Sequence, residues 1–376
     1  MTQVIGQEYL QSQLLRAIQR GTIAHANLFW GSAGTGKLAM ALWIAQTLNC
    51  SHTTPEGACL KCPSCQKIYH LIHPDVYWIL PTYKNETEKK RTSEDFADEI
   101  RQFLLEHHFY PAYAQWVEKL DAHNKQTAIN IEDIRQIKQK MSYAPFEGHY
   151  KIVILWHAEK MRPEAANAFL KLLEEPPQNT IFILTAPTPE QVLPTIQSRC
   201  QNAFFAPLNQ KSIVNYLMHT HKTDESTAYK AAFLAQGNLN EALRLIHQDT
   251  HTFDDLVQNW LRACYSVKYK EMQEISEVLS KLNRETQKHF LTYLLHILRN
   301  ALIAHYEAQT LLFVPDNIKE FTTKLGKTLS IESFNALYQT LSQAMEYVSR
   351  NVNSRILYLT LSIRISKIMS RQQKAP

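Results

Sequence analysis

Two kinds of apolar pattern run along the chain, one in each half. In the first half, short apolar runs alternate with amphipathic stretches. Residues 7–20 place Leu10, Leu14, Leu15 and Ile18 on one face at helical spacing, which predicts a first helix. Residues 26–30 form a short apolar run that reads as a buried strand, followed by a glycine-rich stretch at 31–37 and a helical segment to about Leu48. Residues 73–80 read as a second strand, whereas 84–95 is dense in charge and lacks any apolar period, as expected of a solvated or disordered loop. Ile131, Ile134, Ile137 and Met141 predict a helix over 129–141, and residues 151–156 a further buried strand. A helix over 165–175 is stopped by Pro176 and Pro177, and 180–185 is again a β-branched, apolar strand. Strands alternating with helices predict an α/β domain with a mainly parallel sheet, whose ligands collect at the carboxyl ends of the strands.

From residue 210 onward the strand signal disappears. Residues 210–247 fit a small helical unit and 253–370 several amphipathic helices, with stripes such as Leu291, Leu294, Leu295, Leu298 and Leu302, or Phe334, Leu337, Leu341, Met345 and Val348. These stripes read as bundle core, with some apolar surface left for an oligomer contact. The expected division is an α/β domain at 1–207 with an insertion module at 50–65, a small helical lid at 208–250 and a helical domain at 251–376.

Composition changes this picture little. A chain of 376 residues is long enough for two or three domains, and 45% apolar with 20% charged residues is ordinary for a globular protein. No stretch approaches the roughly 18–20 apolar residues that span a bilayer, and no signal region precedes the first amphipathic segment, so a cytoplasmic protein without a membrane partner is expected. A formal charge of +5 is too diffuse for a dedicated nucleic-acid binder.

Two motifs carry chemistry. Gly31, Ser32, Ala33, Gly34, Thr35, Gly36 and Lys37 match G-x-x-x-x-G-K between a strand and a helix, where backbone N–H groups cradle phosphates and the lysine reaches the β and γ oxygens. The next position, which should be a hydroxyl that ligates Mg²⁺, is Leu38. The strand at 151–155 should end in acidic residues, and Trp156 and His157 stand there instead. Both departures weaken the same metal site, so the expectation is ATP or ADP held without turnover. A competent ATPase and a turn that binds nothing are the alternatives. The second motif, Cys50, Cys59, Cys62 and Cys65, supplies four soft ligands in a short stretch, which suits a closed structural Zn²⁺ site. An iron–sulfur cluster or four free thiols are the other readings. Cys200 and Cys264 stand alone and read as ordinary cysteines.

Taken together, Ile5-Gly6-Gln7, Ala24-His25-Ala26, the phosphate loop, Leu48-Asn49-Cys50 with its cysteine module, the run from Asn167 to Pro177 and Ser198-Arg199-Cys200 resemble, in this order, bacterial replicative clamp-loader subunits of the AAA+ class. The resemblance covers about residues 4–245 and implies an AAA+ P-loop core with a zinc module, a helical lid and an all-α collar. It also implies a place in a hetero-pentamer of clamp-loader ATPase subunits with a delta subunit, acting on a sliding clamp and primed DNA. An ATP-hydrolysing subunit type carries Ser or Thr after the lysine, Asp-Glu at the strand end and an arginine in the lid. Here Leu38, Trp156-His157 and Asn240 stand at those positions, so the chain looks like the non-hydrolysing type. The resemblance then implies that Arg199 reaches the ATP of a neighbouring subunit as an arginine finger. Read without its motif, Arg199 is a surface arginine paired with a carboxylate.

Overall fold

The apolar runs of the first half become strands because a parallel sheet buries both faces, and β-branched and aromatic residues fill such positions well. The computed structural model describes residues 4–83, 92–122, 126–246, 251–282, 284–306, 314, 316–350 and 352–370. They divide into two units, Met1–Tyr216 with Ala235–Glu241, and Leu217–Leu234 with Ala242–Pro376.

In the first unit the chain runs α1 (Glu8–Gln19), β1 (Ala26–Trp30), α2 (Lys37–Leu48), α3 (Pro63–Tyr69), β2 (Val76–Ile79), α4 (Ala97–Glu106), α5 (Tyr113–Lys119), α6 (Ile131–Met141), β3 (Lys151–Leu155), α7 (Pro163–Glu174), β4 (Thr180–Ala186), α8 (Pro194–Gln197) and β5 (Gln201–Phe204), with α9 starting at Gln210. The strands form one sheet in the order β2-β3-β4-β1-β5, and every pairing is parallel. β3 and β4 are buried at every position, so helices must cover both faces. On one face α7 sets Phe169 edge-on to Phe182 of β4, ring centroids 5.3 Å apart. Burying a phenylalanine in this way contributes about 1.5–3 kcal/mol. α6 is fixed at its start by a capping box in which Asp133 accepts the Asn130 N–H at 2.9 Å. All strands run the same way, so the phosphate loop after β1, Trp156 after β3 and Ala186 at the end of β4 share the carboxyl edge.

The structure adds elements to the sequence reading. β5 extends the sheet beyond β1, and α3, α4 and α5 fill stretches in which no helix was expected. Residues 84–91 of the charged stretch lie outside the described residues. Its end is ordered, with Thr92 capping a short 3₁₀ turn, Ser93–Phe96, through Asp95.

The second unit is helical throughout its described residues. It contains α10 (Glu225–Leu234), part of α11 (Leu239–Ile246), α12 (His251–Tyr265), α13 (Tyr269–Lys281), α14 (Arg284–His305), α15 (Asp316–Thr328), α16 (Ile331–Ser349) and α17 (Ser354–Ser370). Leu291, Leu294, Leu298, Phe334, Leu337 and Leu341 are buried, so the predicted stripes do form core. A buried polar group sits among them, where Asp254 pairs with the Lys230 ammonium and accepts the Tyr293 hydroxyl at 2.5 Å. Among the described residues no helix is long and apolar enough to cross a membrane.

Candidate functional site

The phosphate loop is formed as its sequence requires. Gly36 caps α2 with φ +92°, a conformation that suits glycine, and a Cβ there would meet the Tyr110 ring at 3.2 Å. Gly34, with φ +69°, lies so close to Asn238 that a Cβ would overlap it, and its carbonyl accepts the Leu239 N–H at 3.1 Å. Thr35 is buried and donates to Ser32 O at 2.9 Å, while Ser32 and Ala33 face solvent. The Lys37 ammonium does not point at open space. It donates to the carbonyls of Gly31 and Ser32, both at 2.6 Å, within its own loop. Burial pushes its pKa down to about 8, partly opposed by the Glu159 carboxylate.

The metal side of the cradle is apolar. Leu38 is 2% exposed and Trp156 3% exposed. Trp156 packs edge-on to His157 with centroids 4.5 Å apart, and Tyr113 closes over His157 at 4.9 Å. An aromatic cluster thus stands where carboxylates would have to hold Mg²⁺. The cavity between the loop, Trp156, His157 and the segment from Phe109 to Tyr113 is about 120 Å³. Ligand pockets normally hold about 300–1,000 Å³.

One acidic side chain at this edge is absent from the sequence reading. His157 adopts φ +60°, and this left-handed turn brings Glu159 back so that its Oε1 lies 2.6 Å from His157 Nδ1. Glu159 Oε2 is buried without a hydrogen-bond partner among the described residues. The motif position is the strand end itself, so a carboxylate two residues later escapes it; the left-handed turn is visible only in the fold.

The cysteine module fits zinc. The ligand atoms of Cys50, Cys59, Cys62 and Cys65 lie within 4.8 Å of one another, and Cys50 Sγ to Cys62 Sγ is 3.9 Å. A tetrahedron with Zn–S of about 2.3 Å has an edge of about 3.8 Å. Backbone N–H groups also aim at the sulfurs: those of His52 and Cys59 at Cys50 Sγ (3.4 and 3.3 Å) and that of Cys62 at Cys59 Sγ (3.3 Å). Burial pushes the Cys62 thiol up, but the N–H groups of Cys65 and Ser51, together with hydrogen bonds to the Cys65 and Cys59 side chains, more than offset this and draw it down to about 6. Burial raises the Cys65 thiol well above its ordinary value. Cys200 and Cys264 lie apart from this module, and burial raises both thiols to about 12.

Arg199 lies on the surface after α8. Its guanidinium donates to Glu174 Oε1 at 2.8 Å and to Thr195 O at 2.9 Å, with 37% of the side chain exposed. Asn240 is buried and donates to Gln115 Oε1 at 2.9 Å.

A parallel sheet whose first strand leads through this glycine loop into a helix, with a four-cysteine insertion, defines a P-loop domain of the AAA+ kind. The chain belongs to the clamp-loader family described as "DNA polymerase III, delta subunit", which matches residues 6–209, more than half its length. It is 28% identical over 260 residues to DNA polymerase III subunit tau of Bacillus subtilis, covering 68% of this chain and 38% of that protein. It is 29% identical over 238 residues to subunit delta' of the same organism, covering 63% and 58%. The matched part therefore spans less than two thirds of either relative. Among solved structures, a gamma subunit-related protein of Thermotoga maritima is 16% identical with a TM-score of 0.36, covering 95% of this chain and 99% of that one.

Proposed function

We infer that this chain is a delta-prime-type subunit of a bacterial DNA polymerase III clamp loader, working in the cytoplasm with the ATPase and delta subunits to place a sliding clamp on primed DNA. Its own phosphate loop does not turn over ATP. Its catalytic contribution is Arg199, supplied to the ATP of a neighbouring subunit, while zinc on Cys50, Cys59, Cys62 and Cys65 pins the insertion between α2 and β2. The observation that carries this reading is the apolar metal side of the cradle. Phosphoryl transfer depends on placing charge, and buried Leu38 and Trp156 occupy the positions of the hydroxyl and the acid that would hold Mg²⁺. Arg199, by contrast, is exposed, and a surface carboxylate, a backbone carbonyl and the neighbouring Ser198 hydroxyl hold it.

The rival reading is an ATP-hydrolysing subunit of tau or gamma type. Near-equal identity to tau and delta' leaves it open, and the buried carboxylate of Glu159 beside Lys37 favours it. Phosphate release by the purified chain alone separates the two, since turnover that depends on Lys37 would establish the rival. In a reconstituted loader, Arg199→Ala should lower turnover at the one neighbouring site it serves by about 10³-fold or more while assembly is retained, because a finger supplied in trans is worth about 10³–10⁵ in rate. Unchanged turnover in that complex would remove the finger role.

A further inference from the structure

We propose that the phosphate loop is closed from within, the segment 107–113 acting as an internal plug that must withdraw before a nucleoside di- or triphosphate enters. The path of the chain is the first reason. After α4, His108 and Phe109 take φ +50° and +63°, two consecutive left-handed residues that are not glycine. Such a turn is uncommon and persists only where the surroundings enforce it, often at switches. It throws Tyr110 onto the loop.

Tyr110 then meets groups that a ligand would use. It is 2% exposed, its ring abuts Gly36, and its hydroxyl accepts the Ile5 N–H at 3.1 Å. Phe109, Pro111 and Tyr113 line the same cavity opposite Gly31–Leu38, which leaves only a small volume between them. The phosphate-binding cation is engaged too, because Lys37 is satisfied by its own loop's carbonyls.

The plug is also latched at its far end. Gln115, in the first turn of α5, accepts the Ala112 N–H and the Asn240 side-chain N–H, both at 2.9 Å. Asn240 belongs to the stretch Ala235–Glu241, whose Asn238 stands over Gly34 and whose Leu239 N–H donates to Gly34 O. The plug segment, the loop and this stretch thus form one closed set of partners. Gly36 of the motif thereby serves as the socket for Tyr110, a role that needs no nucleotide. The plug is independent of the role of Arg199: it belongs to the lone chain, whereas Arg199 acts in the assembled loader.

The test is a titration of the full chain with fluorescent ADP and ATP in the presence of Mg²⁺. Tyr110→Ala should bind at least about tenfold more tightly than wild type, since a cradle open less than a tenth of the time weakens binding by that factor. Adding Lys37→Ala to that variant should remove the gain. Equal behaviour of wild type and Tyr110→Ala, including no binding by either, overturns the plug. Should Tyr110→Ala fail to fold, Tyr110→Phe, which lacks only the hydroxyl held by Ile5, takes its place and should also bind more tightly than wild type. No gain in that variant overturns the plug as well. Hydrogen exchange on wild type gives a separate reading wherever saturation is reached. Loss of protection across 107–113 on binding supports withdrawal, and saturable binding with that protection unchanged overturns it.

Discussion

The cysteine module and the phosphate loop are both ligand cradles by sequence, and they differ in where their polar groups find partners. In the module the four sulfurs converge on a common point at distances a single ion would span, and backbone N–H groups surround them. In the loop, the ammonium that should face a ligand is turned onto Gly31 and Ser32, and Tyr110 covers the last glycine. A motif therefore reports what a loop was shaped to do, while the partners of its polar atoms report what it still does.

The largest expected effect sharpens this difference. A structural zinc is bound with an apparent free energy of about 10–16 kcal/mol in small zinc modules, and binding of that kind is also folding energy. Cys65→Ser should abolish zinc retention, seen by metal analysis, and lower the thermal midpoint more than any substitution in the phosphate loop or at Glu174. Excess Mg²⁺-ADP, by contrast, should leave the wild-type midpoint in place, since a ligand at free concentration L stabilises by RT ln(1 + L/Kd) and the closed loop keeps L below Kd. Metal-free wild type melting like the zinc-loaded protein would break the comparison.

Much of this was legible in the chain. β1, β3 and β4 are continuous apolar runs because both their faces are buried, and the loop and cysteines are local motifs whose spacing is their geometry. β5 was not, because as an edge strand three of its four residues are exposed and leave no apolar run to read. α4 was hidden by the charged stretch before it, although Ile100, Phe103 and Leu104 are its buried face. Glu159 and Tyr110 were missed for a different reason. Each reaches the loop through left-handed residues, His157 in one case and His108 with Phe109 in the other, and periodicity carries no signal for such turns. The unexplained aromatic and proline cluster from His107 to Tyr113 was the one available hint.

An intermediate effect tests the buried lysine. With its folded pKa near 8 and an ordinary value of 10.5, Lys37 binds fewer protons folded than unfolded between those limits. Stability then rises with pH across that window, and the penalty is fully present below about pH 8. A tenfold change in a proton's affinity corresponds to about 1.4 kcal/mol, so the penalty is on the order of 3 kcal/mol. Burial also lowers Lys151 and raises several tyrosines, so the difference between wild type and Lys37→Met is the informative quantity. Urea unfolding from pH 7.5 to 10 should show a rise in wild type that the variant lacks. Parallel pH profiles would mean that Lys37 is solvated and free to meet a phosphate.

The smallest effect concerns a cation that is not turned inward. Arg199 and Glu174 form an exposed pair at 2.8 Å, with side chains 37% and 50% exposed. Pairs of this kind contribute about 0.2–1 kcal/mol and weaken further with salt. Glu174→Gln should therefore shift the urea midpoint by about 0.5 kcal/mol or less, and raising the salt should erase even that. The loss is small because Arg199 keeps its bond to Thr195 O and the guanidinium stays hydrated. Such weak tethering is what a residue needs if it is to leave its own chain for a partner's phosphate, since every interaction it breaks is subtracted from the one it makes. A cost of several kcal/mol for Glu174→Gln would mean that the pair is structural, and Arg199 would then belong with Lys37 among the charges this fold keeps for itself.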